Sequence, residues 1–416
     1  PLGLLEVSVK LEQAEPMLFA DRLPDPTDLS GFRALAGERL WRGRLTRIRA
    51  QAQSTSLCGR ATQQRHALEL IIARLADPKA LASASPAERR VAGFAREAAQ
   101  VAATLPAHAR QRLRERIEAG LTGEETLIPL FHLLRTAALH RLRGFEVAFS
   151  GLAEDTPFDL LITRDGMAAE VACETVSAEE GREVHRGEWC ALVDRVNPEL
   201  QTWLAAHPGR YLLKMTLPEG MATDAQVAEL HRRIATLLQD QRRQDSSADA
   251  VLKLDPLVLA GAQAAGQRLP QQLRAAFGEE AHLAVTASAA SGSVFVMAAR
   301  AGRENSIAGA VTRRLGLAAA ARLSHARPGI IATFVEDVDK GEWRGLRERL
   351  ELEGAARRWL TEPVARPVIA VSCASRMELF GLAPPDAAPE GELRFRNPSH
   401  PQAKHLALAP AVLSSQ

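Results

Sequence analysis

The stretch PFDLLITRDGMAAEVACETVS, residues 157–177, constrains the fold more than any other part of the sequence. Its two halves are rich in Val, Ile, Phe and Thr, and an Asp-Gly pair separates them, which predicts two short strands joined by a turn. Because side chains alternate across a strand, Glu170, Ala172 and Glu174 should share one face of the second strand. The question raised by this stretch is what two acids and an alanine do there.

An acid also precedes the first of these strands. Asp159 lies between Phe158 and Leu160, in a run that otherwise has the composition of a buried strand. A carboxylate in such a position is unfavourable unless a cation or hydrogen-bond donors compensate it. Carboxylates that converge from neighbouring strands repel each other, and a hard divalent cation such as Mg²⁺ relieves that repulsion and can activate water. Asp159, Glu170 and Glu174 are therefore candidate metal ligands.

The rest of the chain reads as alternating helices and strands. A helix near 126–142 precedes three short strands, which are followed by a helix at 180–206, the strand RYLLKMTLP and further α/β alternation. We therefore predict an α/β (α+β) fold. Its predicted parts are an all-helical, basic N-terminal domain at 1–120, a mixed-sheet domain at 121–390 and a tail at 391–416.

This element order and the acidic strand together resemble the PD-(D/E)XK nuclease superfamily over residues 124–217. The resemblance implies a core made of a helix, a three-stranded meander, a crossover helix and a further strand, with the remainder of the domain as a C-terminal α/β extension. It also implies that Asp159 is the motif Asp and that the Glu-x-Lys motif falls on Ala172-Cys173-Glu174. His185, at the crossover helix, is an additional catalytic candidate.

The sequence departs from that motif twice, because Ala172 stands in the Glu position and Glu174 in the Lys position. Some nucleases of the superfamily carry Glu-x-Glu and cleave, whereas the alanine removes a direct metal ligand. Three explanations are open: the site is degenerate, Glu170 supplies the missing ligand from the same face, or Ala172 is an introduced substitution. A strand whose acids simply face solvent is the plain alternative.

A basic region lies near the start of the chain. Residues 33–116 contain 17 Lys/Arg against 6 Asp/Glu, although the whole chain carries a net charge of only +2. Arginine neutralises phosphates and releases their counterions, so such a region suits nucleic-acid backbone contacts. The candidate nucleic-acid-binding residues are Arg42, Arg44, Arg47 and Arg49. The alternative is a solvated helix face that only aids solubility.

Composition narrows the functional class. The four cysteines include no CxxC pair, which argues against a disulfide scaffold or a cysteine zinc site and favours a reducing cytoplasm. No apolar run approaches about 20 residues, so no membrane span is expected. Phosphate-loop, dinucleotide-binding, zincin and nucleophile-elbow motifs are absent from the sequence. Aromatic residues make up only 4% of the chain, which favours duplex DNA over stacked single strands.

These observations lead to two expectations. The first is a bacterial, cytoplasmic, metal-dependent DNA endonuclease that uses Mg²⁺ or Mn²⁺; the resemblance alone implies a setting in phage defence or mobile-element biology. The second is a catalytically inactive nuclease fold that binds double-stranded DNA, a protein partner or a second copy of itself.

Overall fold

The computed structural model describes residues 26–53, 55–123, 125–257, 272–274, 277–278, 280–288 and 292–414. The α+β class is confirmed, since helices and strands alternate along the chain and the strands form two mixed sheets. The helices are α1 (Pro26–Ala36), α2 (Glu38–Gln51), α3 (Leu57–Arg65), α4 (Ala67–Leu75), α5 (Pro78–Ala82), α6 (Pro86–Thr104), α7 (Ala107–Leu121), α8 (Ile128–Leu142), α9 (Ser150–Ala153), α10 (Arg186–Ala206), α11 (Asp224–Gln239), α12 (Ile307–Ala321), α13 (Lys340–Glu348), α14 (Glu351–Trp359), α15 (Arg376–Leu379) and α16 (Ala409–Val412). The strands are β1 (Glu146–Ala148), β2 (Leu160–Arg164), β3 (Met167–Ser177), β4 (Arg210–Leu217), β5 (Gln244–Ser246), β6 (Val251–Pro256), β7 (His282–Ser288), β8 (Ser293–Ala301), β9 (Gly329–Glu336), β10 (Val368–Ser375) and β11 (Leu393–Arg396).

The chain forms two compact units, each built from separate stretches of sequence. The first consists of the described parts of Pro1–Trp41, Leu68–Thr175 and Arg314–Gln416, and the second of Arg42–Ala67 and Val176–Arg313. The boundary predicted at residue 120 thus falls inside the first unit. Among the described residues, none of the helices combines the length and apolarity that a bilayer crossing requires.

The first unit contains a six-stranded sheet in the order β1-β2-β3-β9-β10-β11. Strands β1, β2 and β3 form an antiparallel meander, β9 and β10 are parallel, and β11 is antiparallel to β10. Every residue of β10, and all but the last of β9, is buried. Such continuous burial is typical of strands covered on both faces of a sheet.

The hairpin predicted at 157–177 is confirmed. Strands β2 and β3 pair from Leu160↔Val171 to Arg164↔Met167, so a two-residue loop joins them. Its residues, Asp165 and Gly166, both have positive φ angles, of 49° and 77°. Positive φ at both central positions is what a tight turn between twisted antiparallel strands requires, and Asp-Gly supplies it with little strain.

The described residues from Pro26 to Leu121 form helices α1 to α7, which the structure divides between the two units, and residues 1–25 of the predicted N-terminal domain lie outside the described residues. In the first unit, α6 begins with a capping box in which Ser85 and Glu88 bond each other's backbone N–H groups. The rings of Phe94 and Phe131 lie 5.1 Å apart and join α6 to α8. The helices of this unit are thus fixed by local caps and by aromatic packing.

The strand RYLLKMTLP is β4, and its predicted position in the fold is wrong. It lies in the second unit, in a five-stranded sheet ordered β5-β6-β4-β8-β7, instead of following β3 in the first sheet. Leu213 and Met215 of β4 belong to a buried cluster with Phe295 and the apolar faces of α10 and α11. These side chains complete the core of the second unit, which is why β4 pairs there although it is near β3 in sequence.

The neighbour of β3 in the first sheet is instead β9, which α12 precedes in the chain. Between β3 and α12 the chain forms α10, β4, α11 and β5 to β8, so β4, the strand that follows the meander in sequence, is not its neighbour in the sheet. The predicted tail also differs from the structure. β11 pairs with β10 and α16 follows it, because Phe395, Leu408 and Val412 are buried.

Candidate functional site

Asp159 is buried in the first unit, with only 3% of its surface exposed, and its carboxylate is bound by three donors. Oδ1 accepts a hydrogen bond from Nη2 of Arg116 at 2.9 Å. Oδ2 accepts from Nη2 of Arg322 at 2.7 Å and from the backbone N–H of Cys173 at 2.8 Å. Two guanidinium groups and a backbone amide therefore supply the compensation that a buried carboxylate needs.

Arg322, just after α12, connects Asp159 to the acidic strand. Its Nη1 donates to Oε1 of Glu174 at 2.7 Å, and its Nε donates to the carbonyl oxygen of Pro157 at 2.7 Å. Burial raises the pKa of Glu174, while the charges of Arg322 and Arg314 oppose that rise. One planar guanidinium thus holds two carboxylates and a carbonyl, a geometry that the arginine fork favours.

Glu170 is fully buried and has different partners. Its Oε2 accepts from the backbone N–H of Ser324 at 2.8 Å, and its Oε1 accepts from the Ser324 hydroxyl. Nη1 of Arg327 lies 3.7 Å from Oε1. Glu170 therefore serves as the anchor for the segment that carries Ser324 and Arg327.

The alternation predicted for β3 agrees with these contacts. Glu170 and Glu174 both bind the short segment 322–324, so they share a face of the strand. Ala172, between them in sequence, has no exposed surface. The Cys173 thiol lies instead beside Thr136 of α8, and burial raises its pKa well above the usual range. Glu170 is buried and the Glu174 side chain is only 11% exposed, which contradicts the solvent-exposed strand face considered from the sequence.

The acidic face does not fit a magnesium or manganese ion as the side chains stand. Within the described part of the chain, no group of three or more His, Cys, Asp or Glu side chains is arranged to hold a metal. Asp159 and Glu174 come together, but Arg322 binds both, and Glu170 is turned to Ser324. With alanine at position 172, two carboxylates remain, which is fewer than the resemblance implies for a metal site.

His185 lies in the second unit, unlike Asp159 and the acidic face. It precedes α10, its backbone N–H donates to the carbonyl of Met221 at 2.8 Å, and its Nδ1 lies 3.8 Å from Oε2 of Glu188. These contacts are those of a residue at a helix start.

The arginines of α2 differ in exposure. Arg42, Arg47 and Arg49 are exposed, whereas only 2% of Arg44 is accessible to solvent. Nη2 of Arg44 lies 3.4 Å from Nδ1 of His66. Arg44 therefore does not fit its predicted role in nucleic-acid contacts, because its side chain is buried in this structure.

Sequence reasoning missed the residues that organise the acidic face, namely Arg116, Arg322 and Ser324. The buried position of Asp159 indicates that some cation must lie beside it. Nothing in the spacing identifies which arginine supplies it. Arg322 is 163 residues from Asp159, so only the long-range pairing of β3 with β9 brings the two together.

No protein-family model, curated protein or solved structure matches the chain significantly. The geometry of the described residues is thus the basis for a functional proposal.

Proposed function

We propose that the chain is a nucleic-acid-binding protein whose nuclease-like acidic face is a structural ion-pair centre and not a cleavage site. The observation that carries this proposal is the single guanidinium of Arg322 between Asp159 and Glu174. It occupies the acids that the nuclease resemblance would assign to a metal ion. The proposal corresponds to the inactive-nuclease interpretation of the sequence.

The charge balance at this face supports the proposal. Asp159 and Glu174 contribute two negative charges, and Arg116 and Arg322 contribute two positive charges within hydrogen-bonding distance. A divalent ion would have to displace Arg322 and leave a guanidinium without its partners. Breaking a buried ion pair is strongly unfavourable, so the arginine and a metal would compete for the same oxygens.

The nucleic-acid part of the proposal rests on the segment 42–67, which contains six arginines and no acidic residue. Arg42, Arg47 and Arg49 of α2 are exposed, as are Arg60 and Arg65 of α3. Exposed guanidinium groups on consecutive helices suit contacts with phosphates. Such contacts position a protein on duplex DNA without specifying a sequence.

The alternative is the metal-dependent endonuclease, and one observation favours it. The resemblance expects a lysine where Glu174 stands, and Arg322 brings a cation within 2.7 Å of that residue. An arginine from another segment could thus replace the missing lysine. The acids would still lack the carboxylate that Ala172 does not supply.

A DNA-cleavage assay distinguishes the two proposals. Supercoiled plasmid is incubated with the protein and with its Asp159→Ala variant, in Mg²⁺ and in Mn²⁺, at concentrations where a gel shift shows binding. We expect both proteins to shift the plasmid and to leave it intact. Nicking by the wild type that disappears in Asp159→Ala would overturn the inactive-fold proposal and support the endonuclease.

A further inference from the structure

The first unit contains a cavity of about 60 Å³ that is remote in sequence from the acidic strand. It is lined by Arg90 of α6, by Phe131 and Arg135 of α8, and by the segment 378–391. A single water needs about 10–15 Å³ by this kind of measure, so the cavity has room for several waters or one compact ligand.

Arg135 is the residue that gives this cavity its chemistry. It is 2% exposed, and its Nη2 donates to the carbonyl oxygen of Gly391. Its Nη1 has no hydrogen-bond partner among the described residues. Burial lowers the pKa of Arg135, because the charged form is poorly solvated there. A buried guanidinium with an unused donor beside a cavity is suited to an anion.

Arg90 adds a second guanidinium to the same cavity. Its Nη1 donates to the carbonyl oxygen of Phe380 at 2.8 Å. Gly381, with a φ of 63°, leaves the space for it, because a Cβ there would lie 1.2 Å from Nη1 of Arg90. The cation is therefore held in a fixed position, which limits the entropy lost when a ligand binds.

The carboxylates of the lining already have partners. One oxygen of Glu378 accepts from Nε1 of Trp343 at 2.9 Å and from the N–H of Ala388 at 2.8 Å. The other accepts from the N–H and the hydroxyl of Ser375, both at 2.7 Å. Glu390 pairs with an arginine outside the cavity. Neither carboxylate therefore forms the missing hydrogen bond to Nη1 of Arg135.

We propose that this cavity is a binding site for the oxyanion group of a small ligand, a carboxylate or a phosphate. Both groups match the planar donor pattern of guanidinium, and Arg90 and Arg135 supply two positive charges, which the neighbouring carboxylates of Glu378 and Glu392 offset in part. Phe131, Leu382 and Pro384 form apolar walls, so the site would accept a compact organic substituent beside the anionic group. The site is independent of the nucleic-acid proposal.

Titration calorimetry on the full chain tests the proposal, with sodium phosphate and sodium acetate as probes and sodium chloride at matched ionic strength as the reference. We expect saturable binding of phosphate, acetate or both, weakened about tenfold or more in Arg135→Leu and in Arg90→Gln. Arg357→Leu, at an exposed arginine of the same unit, should bind as the wild type does. The stronger of the two probes identifies the oxyanion class.

Two results would overturn the proposal. One is equal heat from phosphate, acetate and chloride in the wild type, which would mean that the cavity holds only water. The other is wild-type affinity in a folded Arg135→Leu protein. If Arg135→Leu does not fold, Arg90→Gln decides the question, because Arg90 is only partly buried and its replacement disturbs the buried core less.

Discussion

In the first unit, Nη2 of Arg322 lies 2.7 Å from Oδ2 of Asp159, although 163 residues separate the two in the chain. Asp159 is buried, while about a third of the Arg322 side chain is exposed. The pair therefore fixes the segment after α12 against the start of β2, and its energetic role can be measured.

Arg322→Met should lower the free energy of unfolding by about 2–3 kcal/mol, because Asp159 and Glu174 would lose their shared cation in a buried setting. Arg357→Met is the matched control, since Arg357 forms an exposed ion pair with Glu353 and should contribute less than about 1 kcal/mol. Urea denaturation of both variants gives the two values.

The double variant Asp159→Asn/Arg322→Met completes this test. Removing the carboxylate charge together with its cation should restore part of the stability that Arg322→Met loses, since the two residues interact directly. Equal losses in Arg322→Met and Arg357→Met, or a simple sum in the double variant, would contradict a stabilising role for the bridge.

The local parts of this fold were accessible from sequence. The Asp-Gly turn and the residues flanking it predict the β2–β3 hairpin, and the capping box that begins α6 likewise involves only Ser85 and Glu88, three residues apart. These features depend on neighbouring residues only, so their physical signal is contained in a few positions.

The non-local parts were not accessible. The sequence near β3 gives no sign that β9 is its neighbour, and β4, which is nearer in sequence and also has a strand pattern, pairs in the other sheet. The partner of Asp159 depends on that pairing. Arg322, which follows α12, is one of many arginines in the chain. Only the order of the strands in the sheet identifies it as the partner of Asp159. The site could thus be predicted as acidic but not as ion-paired.

Exposed arginines of α2 should set the salt dependence of DNA binding. Replacing Arg42, Arg47 and Arg49 with alanine should reduce the slope of log affinity against log salt by about 2–3, since each phosphate contact contributes about 0.9. Fluorescence anisotropy with a labelled duplex of arbitrary sequence, at several salt concentrations, measures this slope.

A control triple variant separates specific contacts from net charge. Arg349, Arg357 and Arg358 are exposed in the first unit, and their replacement by alanine removes the same charge. We expect the control to leave the slope nearly unchanged. Equal reductions in both triple variants would show that net charge alone governs binding.

Arg44→Gln should destabilise the fold instead, because Arg44 is buried beside His66.

Metal binding should appear only when the arginine bridge is removed and the missing acid is restored. The variant Ala172→Glu/Arg322→Ala would place a third carboxylate beside Asp159 and Glu174 without their cation. Mutual repulsion among these acids should favour Mn²⁺, which would raise the melting temperature of this variant. The single variants, and the double variant with Asp159→Ala added, should show no Mn²⁺-dependent rise.

The single variant Ala172→Glu tests whether the arginine bridge alone excludes a metal. A Mn²⁺ response in Ala172→Glu alone would mean that Arg322 yields to a metal, contrary to the proposed structural role. No response in any variant would mean that the acids cannot converge on an ion even without the bridge.

The stability of the protein should fall as pH drops from 7 to 5 because of two buried histidines in α8. Burial lowers the pKa of His132 to about 4 and that of His140 to about 3, against 6.5 in the unfolded chain. Well above pH 6.5 both states are neutral, so these groups contribute no pH dependence there. Between pH 6.5 and about pH 4, His132 binds a proton in the unfolded chain but stays neutral in the folded protein. This difference in proton binding favours unfolding.

His132→Gln should therefore remove part of the acid sensitivity. The linkage amounts to about 2 kcal/mol per histidine at pH 5, since each pH unit below 6.5 corresponds to about 1.4 kcal/mol. Glutamine retains an N–H donor for the carbonyl of Ala332, which Nε2 of His132 bonds at 2.9 Å. Urea midpoints at pH 7 and pH 5 should thus differ less for His132→Gln than for the wild type. His405→Gln, at an exposed histidine, is the control. If its urea midpoints at pH 7 and pH 5 also differ less than those of the wild type, burial of His132 is not the cause.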